Sequence, residues 1–202
     1  VHESLLKKSP FFAVLLANAN ADPLILPKSF KLSPFNIYVH WLYTGLLHTS
    51  DASENTSIEQ HRNDWIKLME VYLLGDILKD FELRDTVMDS MLDWFQKAPP
   101  AARSVVLDNL DEVYDHLEDK IPLRMLVSDI AAWHLVPKDI EELRTKSFHP
   151  DVANTFLFDT LIKTSKKYEK GVFGSQPSVI QGQGNCKYHC HGDKTCYQEA
   201  WL

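Results

Sequence analysis

The sequence predicts a mainly α-helical protein of α+β type, with one or two short strands. Three observations lead there. Apolar residues recur at helical spacing through most of the chain, as at Phe35, Tyr38, Val39 and Leu42, which stand at i, i+3, i+4 and i+7. Prolines stand where such runs begin, at Pro10, Pro34, Pro122, Pro137 and Pro150; a first-turn N–H has no intrahelical partner, so its loss costs little there. Short apolar runs suited to a strand are few: Leu24–Leu26, between Asp22-Pro23 and Pro27, and the pair Leu46-Leu47.

Taken in order, Ser9-Pro10 caps and opens a helix through Phe11, Phe12, Leu15 and Leu16. Ser33 is the expected cap of the next helix, with Pro34 in its first turn and Gly45 as a left-handed stop. His48 to Arg62 is polar and reads as an exposed loop. Helical periodicity resumes with Trp65, Leu68, Met69 and Tyr72. Asp80 caps a further helix with the face Leu83, Val87, Met88, Met91 and Phe95, which Pro99-Pro100 closes. Val106, Leu110, Val113 and Leu117 fit one helical stripe. Pro122 restarts a helix with Leu123, Leu126, Val127, Ile130 and Trp133, and Pro137 opens one with Ile140 and Leu143. Pro150 opens the last, with Val152, Phe156 and Leu161 facing inward. Lys163, Lys166, Lys167 and Lys170 crowd its end before Gly171, where cations suit the helix dipole, and read as a solvated helix end. Val172 to Asn185, rich in Gly, Ser, Gln and Pro, reads as a flexible linker. The expected organisation is residues 1–98, a helical extension at 99–171, and a linker with a Cys/His-rich tail at 172–202.

A chain of 202 residues has room for one or two cores. Hydrophobic content of 45% with 24% charged residues fits a globular protein. The formal net charge of −7 argues against a nucleic-acid surface, which needs a basic stripe. No apolar run approaches the length that spans a bilayer. Val1–Lys8 lacks the layout of a signal peptide, and the absence of an initiator Met suggests a processed or partial product. The three cysteines all follow Asn185, so the main body is not a disulfide-stapled scaffold, and cytoplasm or nucleus is the expected compartment.

Several motifs stand in the order of one known family. His2, Ser9 and Phe12 open the chain, and Trp41, Tyr43, Thr44 and Gly45 form an aromatic-Tyr-Thr-Gly stop. Leu74-Gly75-Asp76-Ile77-Leu78 and Phe81-Glu82-Leu83 follow. With these the chain resembles the BTB/POZ domain, a protein–protein interaction module. Pro122-Leu123-Arg124, Leu126-Val127-Ser128-Asp129 and Ala132-Trp133 are similar to the helical extension of fungal BTB proteins. The resemblance implies a non-enzymatic scaffold or adaptor that binds other proteins. It implies a structural His2 that hydrogen-bonds locally, and at Gly75 a residue small enough for close helix packing, where the family carries Ala. The family's opening strands and first helix have no counterpart here. The homodimer those elements support is therefore expected to be weakened, and Phe11, Phe12, Leu15 and Leu16 are expected to be uncovered as a contact surface. The apolar-x-Glu step of family members that recruit cullin ubiquitin ligases has no match in Ala17–Asp22, which argues against that role.

One dense group of ligand-type side chains is present. Cys186, His189, His191 and Cys196, with Cys190 as a fifth candidate, offer the thiolates and imidazoles that structural zinc prefers. An alternative reading makes this tail a zinc-stabilised regulatory or nucleic-acid-binding module, with Tyr188 and Tyr197 stacking on bases and Lys187 and Lys194 meeting phosphates. His40 and His134 read as partly buried or capping residues, and Asp108, Asp111 and Glu112 as solvated helix faces. No P-loop, dinucleotide fingerprint, nucleophile elbow or zinc-protease motif occurs, so no catalytic residue is assigned.

Overall fold

The computed structural model describes residues 1–18, 30–49, 57–116, 121–134, 136–169 and 188–191. The described residues are mostly helical and contain no strand. Packing divides the chain into two compact units, Val1–Trp94 with Cys190–Leu202, and Phe95–His189.

The first unit carries α1 (Glu3–Leu6), α2 (Pro10–Ala17), α3 (Leu32–Thr44), α4 (Ile58–Leu78) and most of α5 (Phe81–Lys97). Ser9 caps α2 as its sequence predicts, accepting from Phe12 N–H, with Pro10 at the start. Helix α3 begins one residue before the expected cap: Lys31 is the N-cap residue and makes no side-chain cap bond, while Ser33 lies inside the helix. Gly45 ends α3 at φ 71°, in the left-handed region. Helix α4 starts well inside the stretch expected to be loop. Ser57 caps it by accepting from Gln60 N–H at 3.1 Å, and Glu59 favours its positive dipole end. Residues 50–56 of that expected loop lie outside the described residues, as do Leu24–Leu26.

Leu46 and Leu47 form no strand. Leu46 N–H donates to Thr44 Oγ1 at 3.1 Å, and the Leu46 carbonyl accepts from the same hydroxyl at 3.4 Å. The Leu46 N–H is thus met within the turn and not by a neighbouring strand.

Helices α4 and α5 form an antiparallel hairpin. At one end Gly75 faces Leu83 and Arg84; at the other Trp65 and Trp94 approach to 4.9 Å between rings and Trp94 Nε1–H donates to His61 O at 2.9 Å. The predicted stripes are buried: Trp65, Leu68, Met69 and Tyr72 on α4, and Leu83, Val87, Met88, Met91 and Phe95 on α5. Asp80 caps α5, accepting from Leu83 N–H at 3.1 Å.

The second unit packs α10 (Pro150–Glu169) against α7 (Leu110–His116) and α8 (Pro122–His134). Val106, Leu110 and Val113 are all buried, but they do not share one helix. A short α6 (Pro100–Arg103) passes into a 3₁₀ turn at Ser104–Leu107 before α7, and Leu117 lies outside the described residues. On α8 the stripe Leu123, Leu126, Val127 and Ile130 is buried as expected. Helix α9 (Pro137–Leu143) leaves Ile140 exposed. On α10, Val152 and Phe156 face inward, whereas Leu161 faces outward and is 59% exposed. Polar partners take its place: Arg124 reaches Asp159 at 3.3 Å and lies 4.5 Å over the Tyr114 ring, and Tyr114 O–H donates to the same carboxylate.

Several charges expected to be merely solvated are engaged within this unit. Lys163 pairs with Asp129 at 2.9 Å and donates to Met125 O, and Lys167 lies 4.3 Å over the Trp133 ring. Asp108 pairs with Lys146, and Asp111 accepts from His149 N–H at 3.1 Å.

The α4–α5 approach generates a prediction. A Cβ at position 75 would come within 2.9 Å of Arg84 Cγ and 3.2 Å of Leu83 Cδ2, both on buried residues, so the small-residue equivalence expected from the sequence does not hold. Alanine gains about 1 kcal/mol in helix propensity, but overpacking typically costs about 1–3 kcal/mol. Gly75→Ala is expected to lower the melting temperature in circular dichroism, with a net loss of about 1 kcal/mol. An equal or higher melting temperature would contradict this packing.

Candidate functional site

The strongest candidate surface lies on α2 in the first unit. Its sequence, PFFAVLLA, is apolar all round, so a helix that buries one stripe must leave other apolar positions uncovered. Phe12 takes the inward position. It is wholly buried, stacks on Tyr38 with ring planes 12° apart, and lies 6.2 Å from the Phe35 ring. Phe12 is therefore core, a correction to its expected place in the contact surface. Phe11, Leu15 and Leu16 are half-buried, with Phe11 packed edge-on against Phe12 and beside Phe30. Val14, which sequence reasoning passed over, is 65% exposed. An all-round apolar helix was the available signal, since one of its faces has to point outward.

Buried polar bonds fix this helix. Ser9 Oγ donates to Leu78 O at 2.8 Å, and Tyr38 O–H donates to Asp80 Oδ2 at 3.4 Å. Burial, with the Asp80 charge beside it, pushes the Tyr38 phenol well above its usual range; burial also raises the Asp80 carboxyl. His2 bonds locally through its carbonyl, which accepts from Leu5 and Leu6 N–H at 3.1 and 3.3 Å, but its backbone N–H and its ring reach further. Its N–H donates to Tyr43 Oη at 3.0 Å and its Nδ1 lies 2.7 Å from the same oxygen, joining two residues of the family-like motif across 41 positions.

An open depression of about 510 Å³ lies on the same unit, lined by Leu32, Ser33, Asn36, Ile37, His48 and Lys67. The lining has one imidazole and one ammonium but no carboxylate. Lys67 donates to Thr49 O at 2.7 Å, and His48 packs edge-on against His40 with ring centroids 4.4 Å apart. His40 in turn lies 3.1 Å from Thr44 Oγ1. These contacts are those of a structured surface and present no aligned acid–base pair.

The expected zinc set is only partly described. Cys186 and Cys196 lie outside the described residues, as do Tyr197, Lys187 and Lys194. His189 is buried, His191 is half-buried, and each already has an interaction partner. Among the described residues no group of three or more His, Cys, Asp or Glu is placed to hold a metal ion, so the described donors do not form a closed tetrahedral set. Cys190 N–H donates to Asp85 Oδ1 in the first unit. Burial lifts the Cys190 thiol up to about 11, so it stays protonated at neutral pH, a poor nucleophile and a poor metal ligand as it stands. Tyr188 is wholly buried in the second unit and donates to Asp129 at 2.7 Å, which removes it from base stacking.

His134, also in the second unit, packs on the Phe95 ring at 4.8 Å and its Nε2 is buried without a hydrogen-bond partner. Burial, with Arg103 and Lys167 nearby, holds its pKa below the usual imidazole value. The neutral form is a packed half-buried ring, as its sequence position suggested.

Comparison of the chain with protein-family models, with curated proteins and with solved structures finds no match. Among the described residues no helix is long and apolar enough to cross a membrane.

Asp64 on α4 supplies a pH test of these buried carboxylates. Its Oδ1 is buried without a hydrogen-bond partner, and burial raises its pKa against the opposing pull of Lys67 and His61. The folded chain then holds the proton to higher pH than the unfolded chain. The resulting penalty is absent below the ordinary carboxyl range and grows as pH rises through it toward the raised folded value. Asp64→Asn is expected to raise the melting temperature at neutral pH, with the gain shrinking below about pH 4. A gain that persists unchanged at low pH would refute the assignment.

Proposed function

We propose that the chain is a non-enzymatic protein–protein interaction module, a BTB/POZ-like scaffold or adaptor acting in the cytoplasm or nucleus. The observation that carries this reading is α2, an apolar helix clamped on its inner side by Phe12 and Ser9 while Val14 stands exposed beside half-buried Phe11, Leu15 and Leu16. Apolar side chains held in a fixed geometry are what a docking site needs, because little conformational entropy remains to be lost on binding. The ordered motifs that resemble the BTB/POZ family support the same reading, as does an acidic chain with a formal net charge of −7 that suits protein partners better than nucleic acid.

Site-specific crosslinking in cells tests this function. A photoreactive residue at position 14 of the full chain is expected to give discrete protein adducts that the same residue at exposed position 141 does not. Adding Leu15→Glu should reduce those adducts at least tenfold, about 1.4 kcal/mol of binding, with the circular dichroism spectrum unchanged. Identical adducts from both positions, or adducts indifferent to Leu15→Glu, would contradict the reading.

A further inference from the structure

We propose that the outer face of α10 is a self-association surface that pairs, antiparallel, with the same face of a second copy of this chain. Leu157, Phe158, Leu161 and Ile162 are 53%, 65%, 59% and 51% exposed. At 100° per residue they cover a single arc about 140° wide. Val152 and Phe156, which are buried, and Lys163, which is bonded to Asp129, lie on the opposite side, where α10 packs on α7 and α8. The helix thus has two apolar faces, of which the unit uses one. An exposed Asn154 precedes the outer face, and beyond the exposed Ser165 the ring of Tyr168, 58% exposed, continues the same arc.

The pattern fits a two-fold axis. With the axis passing between Phe158 and Leu161, Phe158 meets the partner's Leu161 and Leu157 meets the partner's Ile162, so each large ring is set against a smaller aliphatic group. A parallel pair would stack each residue on itself, setting Phe158 on Phe158 and Lys166 on Lys166. Antiparallel pairing also opposes the helix dipoles and brings Asp151 of one copy toward the end that carries Lys166 and Glu169 of the other, a mixed rim rather than a repulsive one. The four apolar residues expose about 400 Å² per chain, within the range of about 300–600 Å² for the largest apolar patch of a typical monomer, a patch that is often functional. Two copies with their flanking residues would bury about 1,000 Å², near the lower limit for a specific interface, so the dimer is expected to be reversible with a micromolar dissociation constant. The surface lies on a different unit from α2 and does not depend on the adaptor reading.

Sedimentation equilibrium of the full chain from about 1 to 200 µM tests the pairing. The expected result is a monomer–dimer equilibrium that Phe158→Glu and, separately, Leu161→Lys each weaken at least tenfold, with melting curves unchanged because both positions are exposed. Mixing the two variants should restore association. In an antiparallel pair the new carboxylate of one copy meets the new ammonium of the other, while the remaining Leu161 and Phe158 still meet. A chain that stays monomeric throughout, a dimer indifferent to both substitutions, or a mixture that fails to re-associate would overturn the proposal. Outer-face residues protected from solvent labelling in the monomer would also overturn it, by showing that another part of the chain occupies the face. Crosslinks from position 14 are expected to be unaffected by Phe158→Glu, so the two proposals can fail independently.

Discussion

The first unit is organised around the three-residue corner between α4 and α5. Leu78 O accepts from Ser9, Asp80 accepts from Tyr38 with one carboxylate oxygen, and its other oxygen caps α5 through Leu83 N–H. Asp80 and Ser9 are buried, so each of these bonds replaces water that is no longer there; leaving one unmade costs about 1–3 kcal/mol. Lys79 takes φ 54° between them, a left-handed turn that a non-glycine residue adopts at a cost. Helices α2, α3, α4 and α5 thus meet at one place through polar contacts that have a single satisfied arrangement.

That arrangement gives α2 its significance. A helix of eight residues is too short to be stable by itself, and it holds its shape because Phe12 and Ser9 are locked into the unit behind it. The apolar positions it does not bury are then presented on a fixed platform. The cluster of Tyr72, Arg84, Asp76 and Cys190 serves packing in the same way: Arg84 reaches Asp76 at 3.0 Å and Tyr72 at 3.1 Å, and covers the Tyr72 ring at 5.1 Å. A protonated thiol 3.8 Å from a protonated phenol completes a buried polar knot. The second unit repeats the theme with Arg124, Tyr114 and Asp159, where a buried guanidinium is compensated by a carboxylate and an aromatic face.

Much of this was legible in the sequence where a local rule decides the outcome. Ser9-Pro10, Asp80 and Gly45 act through their own side chain or their lack of one, and each does what its type suggests. The buried stripes of α4, α5 and α8 follow from period alone. The failures come from tertiary context. The polar run before Trp65 hid the start of α4, because a helix cap and an acidic first turn look like loop until packing extends them. Leu161 matched the inward period of α10, yet α7 and α8 present Arg124, Tyr114 and Asp129 to the inner side, and polar α10 residues answer them. Phe12 cannot be told from its neighbours by sequence, because a helix that is apolar all round carries no periodic signal to say which side is core. Tyr188 sits in the Cys/His-rich tail, where its neighbours suggest base stacking, and its burial depends on Asp129, which lies 59 positions away.

The corner at Leu78–Asp80 is the claim most open to direct measurement, by hydrogen–deuterium exchange on the full chain carrying Asp80→Ala. If the corner couples the helices, protection falls together in the first turn of α5 and in α2, including the Phe12 amide, although α2 is some seventy residues away in sequence. Loss of protection confined to the first turn of α5, with α2 unchanged, would show that Asp80 is only a local cap and that the α2 platform is held by something else.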